Sequence, residues 1–186
     1  MDLVEPQRLP HLEHAGDATQ FAIKMHTMIG VSPLFEQFSL AEIRLMGHFM
    51  QVYRAQAGQE IIREGEPGDF MMIVVEGRIE VFKQDQWNAP RLIAVVEPGK
   101  TIGEMSMIDG EPRFATCVAV EPTTIAALSA DHLARIILEQ PILGAKILMQ
   151  LALMLSQRLR QTSLRLLEYL DRQRELNEQI GGPGFV

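Results

Sequence analysis

Residues 61–77 read IIREGEPGDFMMIVVEG and contain the pattern that decides the fold. An apolar pair at the start precedes the turn-forming residues 65–69, and an uninterrupted apolar run at residues 70–75 leads to Gly77. Short apolar runs that are bounded by Gly, Pro and Asp are typical of β-strands. The stretch therefore predicts two short strands that are joined by a turn and followed by another turn.

The same alternation of short apolar runs and turns continues on the C-terminal side of this stretch. Apolar runs occur at residues 79–82, 92–96 and 114–120, and turn-forming segments such as Glu97-Pro98-Gly99 separate them. Many short strands with closely spaced turns are typical of an antiparallel sandwich or barrel. Helical patterns flank this region on both sides, so we expect a mainly β domain with flanking helices, of the α+β class.

The N-terminal flank is predicted to hold an arm and two helices. Residues 1–16 contain two prolines and no sustained period, which predicts an irregular arm. Asp17 is in position to cap a short helix. Ser39 and Glu42, three residues apart, form a capping-box pattern for a second helix, whose apolar face includes Ile43.

The C-terminal flank is helical from Ser129 onward. A helix over residues 131–139 is followed by Pro141, which is favourable at the first position of a helix. The next helix is predicted to run over residues 141–180, a length of nearly 60 Å, roughly twice the diameter of a small domain. Residues 181–186 are predicted to form a flexible tail.

The long helix carries a stripe at heptad spacing. The positions in the stripe are Leu148, Ala152, Leu155, Leu159, Thr162, Leu166, Tyr169, Gln173 and Leu176. A stripe that extends beyond its own domain needs a partner helix, so residues 141–180 are predicted to form a homodimer. The alternative is a helix that covers its own core, which suits residues 142–159 but not the residues beyond them.

Composition narrows the classes of protein. The 186 residues are 47% hydrophobic and 22% charged, as in an ordinary folded domain, and the net charge of −7 disfavours contact with nucleic acid. The single cysteine, Cys117, allows no internal disulfide and is typical of a reducing cytoplasm. Charged and polar residues interrupt the most apolar stretch and the N-terminus is acidic, so we expect a cytoplasmic protein without membrane contact.

Residues 101–116, TIGEMSMIDGEPRFAT, contain the candidate functional site. Gly103 allows the backbone to approach another group closely, and a short helical turn with free N–H groups is predicted to follow it. These N–H groups and Arg113 together favour an anion. Glu104 repels a bare anion, but its carboxylate can accept a hydrogen bond from a ligand that also has a hydroxyl. A phosphate and a sugar hydroxyl together describe a nucleotide.

Residues 61–77 and 101–116 resemble the two motifs of cyclic nucleotide-binding domains, the second being the phosphate-binding cassette with its Gly-Glu and Arg-x-Ala-Thr. The resemblance covers residues 30–165. Within the family, the chain is similar to the sensory half of Crp/Fnr-type regulators. It implies an antiparallel, jelly-roll-like β-roll within residues 17–140, followed by a dimerisation helix at 141–180. It also implies a regulatory sensor and not an enzyme, with no catalytic residue, metal or cofactor.

The resemblance implies a role for each matching residue. Arg113 would hold the exocyclic oxygens of the cyclic phosphate, and Glu104 would accept a hydrogen bond from the ribose 2′-hydroxyl. Backbone amides around Gly103, Met105 and Ala115 would line the phosphate. Four further glycines would be turn glycines that serve backbone shape alone: Gly65, Gly68, Gly77 and Gly99.

Phe114 departs from the family pattern, in which Ala, Ser or Thr follows the arginine. A phenyl ring can stack on a base or crowd the pocket, and it lacks the hydroxyl with which threonine bonds guanine. The sequence therefore favours cAMP over cGMP by about 1 kcal/mol, the value of one hydrogen bond. The base is expected under the long helix near Arg158, with three neighbours on the same face: Met154, Gln157 and Gln161.

Two other interpretations of the cassette stay open from sequence. The first is a degenerate domain that binds no nucleotide and serves as a protein-interaction module, with Phe114 filling the pocket. The second is that Arg113 is a surface arginine that pairs with Asp109 or Glu111, and that Glu104 merely caps the short turn.

A cupin-like metalloenzyme is the least favoured class, because residues 51–128 contain no histidine. His11 and His14 have ligand-like spacing in the arm, but they are interpreted as solvated. Crp/Fnr-type regulators carry a helix-turn-helix domain after the dimer helix, and here only residues 181–186 follow it. We therefore expect no direct DNA binding and an unidentified downstream protein as partner.

Overall fold

The structure, a computed structural model, describes residues 9–180, with side chains for residues 9–177. The chain forms two compact units that divide between Gln150 and Leu151. The first unit holds the β-strands and the helices around them, and the second is the continuation of one long helix.

The strands form two antiparallel sheets. In chain order they are β1 (Glu13–Asp17), β2 (Gln51–Ala55), β3 (Glu60–Ile62), β4 (Phe70–Glu76), β5 (Ile79–Gln84), β6 (Pro90–Val96), β7 (Thr101–Ile102), β8 (Thr116–Ala119) and β9 (Thr123–Ser129). The five-stranded sheet has the order β1-β2-β9-β4-β7, and the four-stranded sheet has the order β3-β8-β5-β6. The predicted antiparallel β-roll is confirmed.

The most buried of the longer strands in the five-stranded sheet are the central strand β9 and its neighbour β4. Every residue of β9 is buried, as is every residue of β4 except Glu76. Ile73 of β4 lies opposite Ala126 of β9, and Val74 lies opposite Ile125. Strands that are apolar at every position have both faces covered, which explains why the apolar run at residues 70–75 is continuous and not alternating.

The helices are α1 (Ala22–Thr27), α2 (Leu40–Gly47), α3 (Glu104–Asp109), α4 (Ala130–Glu139) and α5 (Pro141–Ile180), with 3₁₀ segments at Ala18–Phe21 and Pro33–Phe35. The Asp17 side chain accepts a hydrogen bond from the Thr19 N–H, and so caps the first 3₁₀ segment as predicted. Ser39 and Glu42 form both hydrogen bonds of the predicted capping box. Pro141 is the first residue of α5, also as predicted.

The expectation of an irregular arm over residues 1–16 is wrong for its last residues; residues 1–8 lie outside the described part. β1 pairs with β2 along the edge of the five-stranded sheet. His14 is not merely solvated, because its Nε2 lies 2.6 Å from Gln51 Oε1 and its ring packs 5.4 Å from that of Tyr53. His11 Nε2 likewise lies 3.1 Å from the Glu60 carbonyl oxygen. The sequence EHAGD has no apolar alternation, so only tertiary pairing makes it a strand.

The second unit is helical throughout its described residues, from Leu151 to Ile180. Many of its leucines are exposed, among them Leu159 and Leu166 on the predicted heptad stripe. By length and composition alone, residues 141–177 pass as one candidate membrane span, contrary to the expectation from the interrupting Lys146 and Gln150. One such helix is weak evidence for a membrane, because core helices pass the same test.

Candidate functional site

The cassette contains a short helix, α3, which lies between two glycines with left-handed backbone conformation. Gly103 precedes α3 with a φ of 81°, and Gly110 follows it with a φ of 73°. Residues with a Cβ rarely adopt this conformation, so glycine is required at both ends. The first N–H groups of α3 have no carbonyl partner within the helix, so this turn offers donors to an anion.

The two sequence motifs meet at the backbone of Arg113. The Arg113 N–H donates to the Glu66 carbonyl oxygen at 2.8 Å, and the Gly65 N–H donates to the Arg113 carbonyl oxygen at 2.8 Å. The loop after α3 is thereby fixed to the turn between β3 and β4. This pairing explains why motifs that are separated by residues 78–100 in sequence form one site.

The side chain of Arg113 is buried, with 3% of its surface exposed. Its Nη1 donates to the carbonyl oxygens of Phe70, at 2.9 Å, and Gly103, at 3.0 Å. Its guanidinium carbon lies 4.2 Å from the centre of the Phe70 ring, a cation–π distance. The interpretation of Arg113 as a surface arginine is therefore wrong.

Two glycines make room for this guanidinium. A Cβ at Gly68 would lie 2.0 Å from Arg113 Nε, and a Cβ at Gly103 would lie 2.7 Å from Arg113 Nη1. Gly68 does not have a positive φ, so its implied role as a turn glycine is wrong. It is needed for close approach to Arg113, whereas Gly65, Gly77 and Gly99 do adopt positive φ.

The two terminal nitrogens of the guanidinium differ in their hydrogen bonding. Arg113 Nη2 is buried and has no hydrogen-bond partner within the described residues. Burial lowers the pKa of Arg113 from its ordinary value, and the carboxylates of Asp69 and Glu104 act in the opposite direction. An arginine keeps its charge in proteins, so a buried positive group with an unused donor is present here.

The other cassette residues differ in how deeply they are buried. Glu104 is 1% exposed, and its Oε2 atom accepts no hydrogen bond within the described residues, although the residue makes another interaction. Ala115 is buried, and Met105 is half exposed on α3. Cys117 on β8 is buried as expected, and burial raises the pKa of its thiol to about 12, so it is not a reactive thiolate.

Phe114 turns outward, with 54% of its surface exposed. The Lys83 ammonium lies 4.6 Å from the centre of its ring, and the same ammonium pairs with Glu64 at 2.6 Å. The hydrogen bond from Lys83 lowers the pKa of the Glu64 carboxyl. Sequence reasoning missed Lys83, because it comes from β5 and no local pattern connects it with the cassette.

Arg158 is not part of the first unit. It lies on α5 beyond the boundary at residue 150, and its side chain is exposed. Its contact with a base therefore stays a prediction. In contrast, Gly103 and Glu104, at the start of α3, and Arg113 and Ala115, in the loop between α3 and β8, all belong to the first unit.

Comparisons with known proteins agree with the fold. The family model for the cyclic nucleotide-binding domain matches residues 52–140. This chain is 37% identical to a cyclic nucleotide-binding domain from Methylobacillus flagellatus whose crystal structure is known. The match covers 88% of this chain and 92% of the Methylobacillus flagellatus chain, with a TM-score of 0.78.

Curated relatives include longer regulators. The cyclic AMP receptor protein of Thermus thermophilus is 31% identical over 73% of this chain, and the match spans 61% of that protein. A cAMP-dependent protein kinase regulatory subunit of Eremothecium gossypii is 29% identical over 61% of this chain and 24% of its own length. This chain therefore matches less than two thirds of each of these regulators. Because it matches 92% of the Methylobacillus flagellatus domain at 37% identity, it belongs to the cyclic nucleotide-binding domain family.

Proposed function

We propose that this protein is a regulatory sensor that binds a cyclic mononucleotide at residues 103–115 and acts through α5. The observation that carries the proposal is the buried guanidinium of Arg113, whose Nη2 has no hydrogen-bond partner within the described residues. A buried donor without a partner costs free energy, and it is retained at sites where a ligand supplies the acceptor. A cyclic phosphate supplies such an acceptor.

The ligand is held by three kinds of group. Arg113 binds the exocyclic phosphate oxygens, and the backbone amides around Gly103, Met105 and Ala115 donate to the same phosphate. Glu104 accepts a hydrogen bond from the ribose 2′-hydroxyl. Phe114 and Arg158 complete the proposed set on the side of the base.

We infer a preference for cAMP over cGMP. Phe114 offers no hydroxyl to guanine, and a half-exposed ring that packs on Lys83 supports the view that it does not fill the nucleotide site. The names of the Thermus thermophilus and Eremothecium gossypii relatives also refer to cAMP. Since one hydrogen bond is at stake, the expected difference is about 1 kcal/mol, or about fivefold in the dissociation constant.

The signal leaves through α5. A base that contacts Arg158 biases the position of the helix, and the helix pairs with a second copy along its heptad stripe in a parallel dimer. The dimer acts on an unidentified downstream protein in the cytoplasm, without DNA binding, membrane contact or catalysis of its own.

A calorimetric titration tests the proposal with cAMP, cGMP and linear 5′-AMP. We expect saturable heat with both cyclic nucleotides, tighter binding of cAMP, and at least tenfold weaker binding of 5′-AMP, whose phosphate has another geometry and charge. Absence of heat with all three nucleotides contradicts the proposal and favours the protein-interaction module. Equal or tighter binding of cGMP contradicts only the choice of base.

A further inference from the structure

The second unit has a second apolar surface besides the heptad stripe. Leu164 and Leu167 on α5 are 61% and 57% exposed, and the stripe nearby consists of Leu159, Leu166 and Tyr169. At about 100° per residue, the mean direction of Leu164 and Leu167 lies roughly 140° around the helix from the mean direction of those three residues. A two-stranded contact along the stripe therefore leaves both leucines exposed to water.

Two opposite charges flank this pair of leucines on the same side of the helix. Arg160 lies four residues before Leu164, and Asp171 lies four residues after Leu167. All four residues fall within a sector of about 60°. They form a surface with an apolar centre, one positive end and one negative end, which we name the outer surface of α5.

The outer surface is complementary to itself in one orientation. When two helices pack antiparallel about a two-fold axis between residues 165 and 166, Leu164 of one copy faces Leu167 of the other. Arg160 then faces Asp171 at the same height, because both pairs are symmetric about that point. In a parallel pair, Arg160 faces Arg160 and Asp171 faces Asp171, and both contacts are repulsive.

We propose that the outer surface binds the outer surface of a second copy of this chain in an antiparallel contact. The contact buries four leucines between two ion pairs that are about 16 Å apart, and it is isologous, as two-fold contacts are. It is separate from the parallel stripe and does not depend on nucleotide binding. Because four leucines form a small interface, association is expected to be weak and to rise with concentration.

Sedimentation velocity over a concentration series tests the proposal with the full chain. We expect the wild type to form a species larger than that of the variant Leu164→Ser/Leu167→Ser, at the same concentration. Leu138→Ser is the matched control, because Leu138 is 80% exposed but lies on α4, and it should sediment as the wild type does. Identical sedimentation of the wild type and the double-serine variant overturns the proposal.

Charge exchange tests the orientation. Asp171→Arg alone places two positive charges opposite each other and should abolish the larger species, whereas Arg160→Asp/Asp171→Arg exchanges the signs and should restore it. Failure of the double exchange to restore the species overturns the antiparallel pairing. Mild oxidation of a mixture of Arg160→Cys and Asp171→Cys chains should cross-link one variant to the other. If each variant is cross-linked only to itself, the antiparallel pairing is overturned.

A membrane is the competing occupant. Phosphatidylcholine vesicles test this alternative with the wild type and Leu164→Ser/Leu167→Ser. If only the wild type binds the vesicles and the two proteins sediment identically, the outer surface is assigned to lipid and the contact between copies is overturned.

Discussion

Arg113 is a permanent charge held in a nearly closed environment, and its neighbours explain how the fold tolerates it. Two backbone carbonyls and the Phe70 ring compensate one side of the guanidinium. On the other side, Nη2 has no hydrogen-bond partner in the part of the chain that the structure describes. Both partners are ionised in a hydrogen bond from Arg113 to a phosphate, whereas only the phosphate is ionised in a bond from a backbone amide, so a phosphate that binds here gains more from this residue than from any single amide.

Arg113→Ala should weaken binding of cyclic nucleotide by at least tenfold, since hydrogen bonds to a charged group contribute about 1.5–3 kcal/mol. Calorimetry measures the binding, and circular dichroism checks that the β-roll stays folded. Arg91→Ala is the matched control, because Arg91 is exposed and pairs only with Asp85 among the described ion pairs. An Arg113→Ala variant that binds as well as the wild type contradicts the phosphate assignment.

Gly68→Ala should also weaken nucleotide binding, because the added methyl group overlaps Arg113 Nε and displaces the guanidinium. Gly30→Ala provides the comparison, since a Cβ at Gly30 meets nothing within 4 Å and its φ is not positive. Titration of both variants with cAMP measures the effect. Equal affinities for the two variants show that the position of Arg113 does not limit binding.

At the scale of elements, α2 and the first turns of α5 are joined within the first unit. Lys146 of α5 donates to both carboxylate oxygens of Glu42, at 2.8 and 2.9 Å. The same carboxylate belongs to the capping box of α2, so one side chain both starts α2 and holds α5. The hydrogen bond from Lys146 is the main cause that lowers the pKa of Glu42.

Lys146→Met should reduce the free energy of unfolding at neutral pH by about 1 kcal/mol or less. A carboxyl whose pKa is lower in the folded state stabilises the fold above its unfolded pKa, and this stabilisation is lost as the pH falls. The variant should therefore lose less stability than the wild type between pH 6 and pH 3. Urea unfolding across this range measures the difference, and Arg63→Met, which removes an exposed ion pair with Glu60, is the control.

Removal of the chain after Gln157 should give monomers by light scattering, because the stripe residues Leu159 and Leu166 are exposed within the described part of the second unit. The full-length variant Leu159→Gln/Leu166→Gln guards against effects of truncation and should also dissociate the parallel dimer. A wild-type chain that is monomeric at high micromolar concentration rules out the dimer.

At the scale of the whole molecule, the proposal requires one helix to serve two roles. α5 holds both the proposed base contact at Arg158 and the proposed dimer stripe, so a ligand that contacts the helix also acts on the pairing of copies. A ligand shifts such an equilibrium only by its difference in affinity between two states. Coupling therefore demands that α5 responds to nucleotide.

Hydrogen exchange should show this response: saturating cAMP should slow amide exchange in residues 151–170 relative to the free protein. Arg113→Ala with cAMP serves as the control and should show no change. Exchange in α5 that is the same with and without bound cAMP contradicts the coupling, while the binding of nucleotide itself still stands on calorimetry.

The sequence by itself determined the elements whose signals are local. The capping box at Ser39, the proline at the start of α5, the apolar run of β4 and the two glycine-rich motifs each lie within a few residues of chain, so their conformations follow from neighbouring side chains. The short antiparallel strands and the helical turn after Gly103 were predictable for this reason, whereas the β-roll and the phosphate-binding cassette were implied by the resemblance to cyclic nucleotide-binding domains.

Only the tertiary structure decided the contacts between distant segments. It made a strand of residues 13–17, it placed Gly68 against Arg113, and it set Lys83 on Phe114. Each of these contacts joins residues that are about thirty or more positions apart, so no local period or spacing encodes them. Their energy comes from pairing and burial that exist only once both sheets have formed.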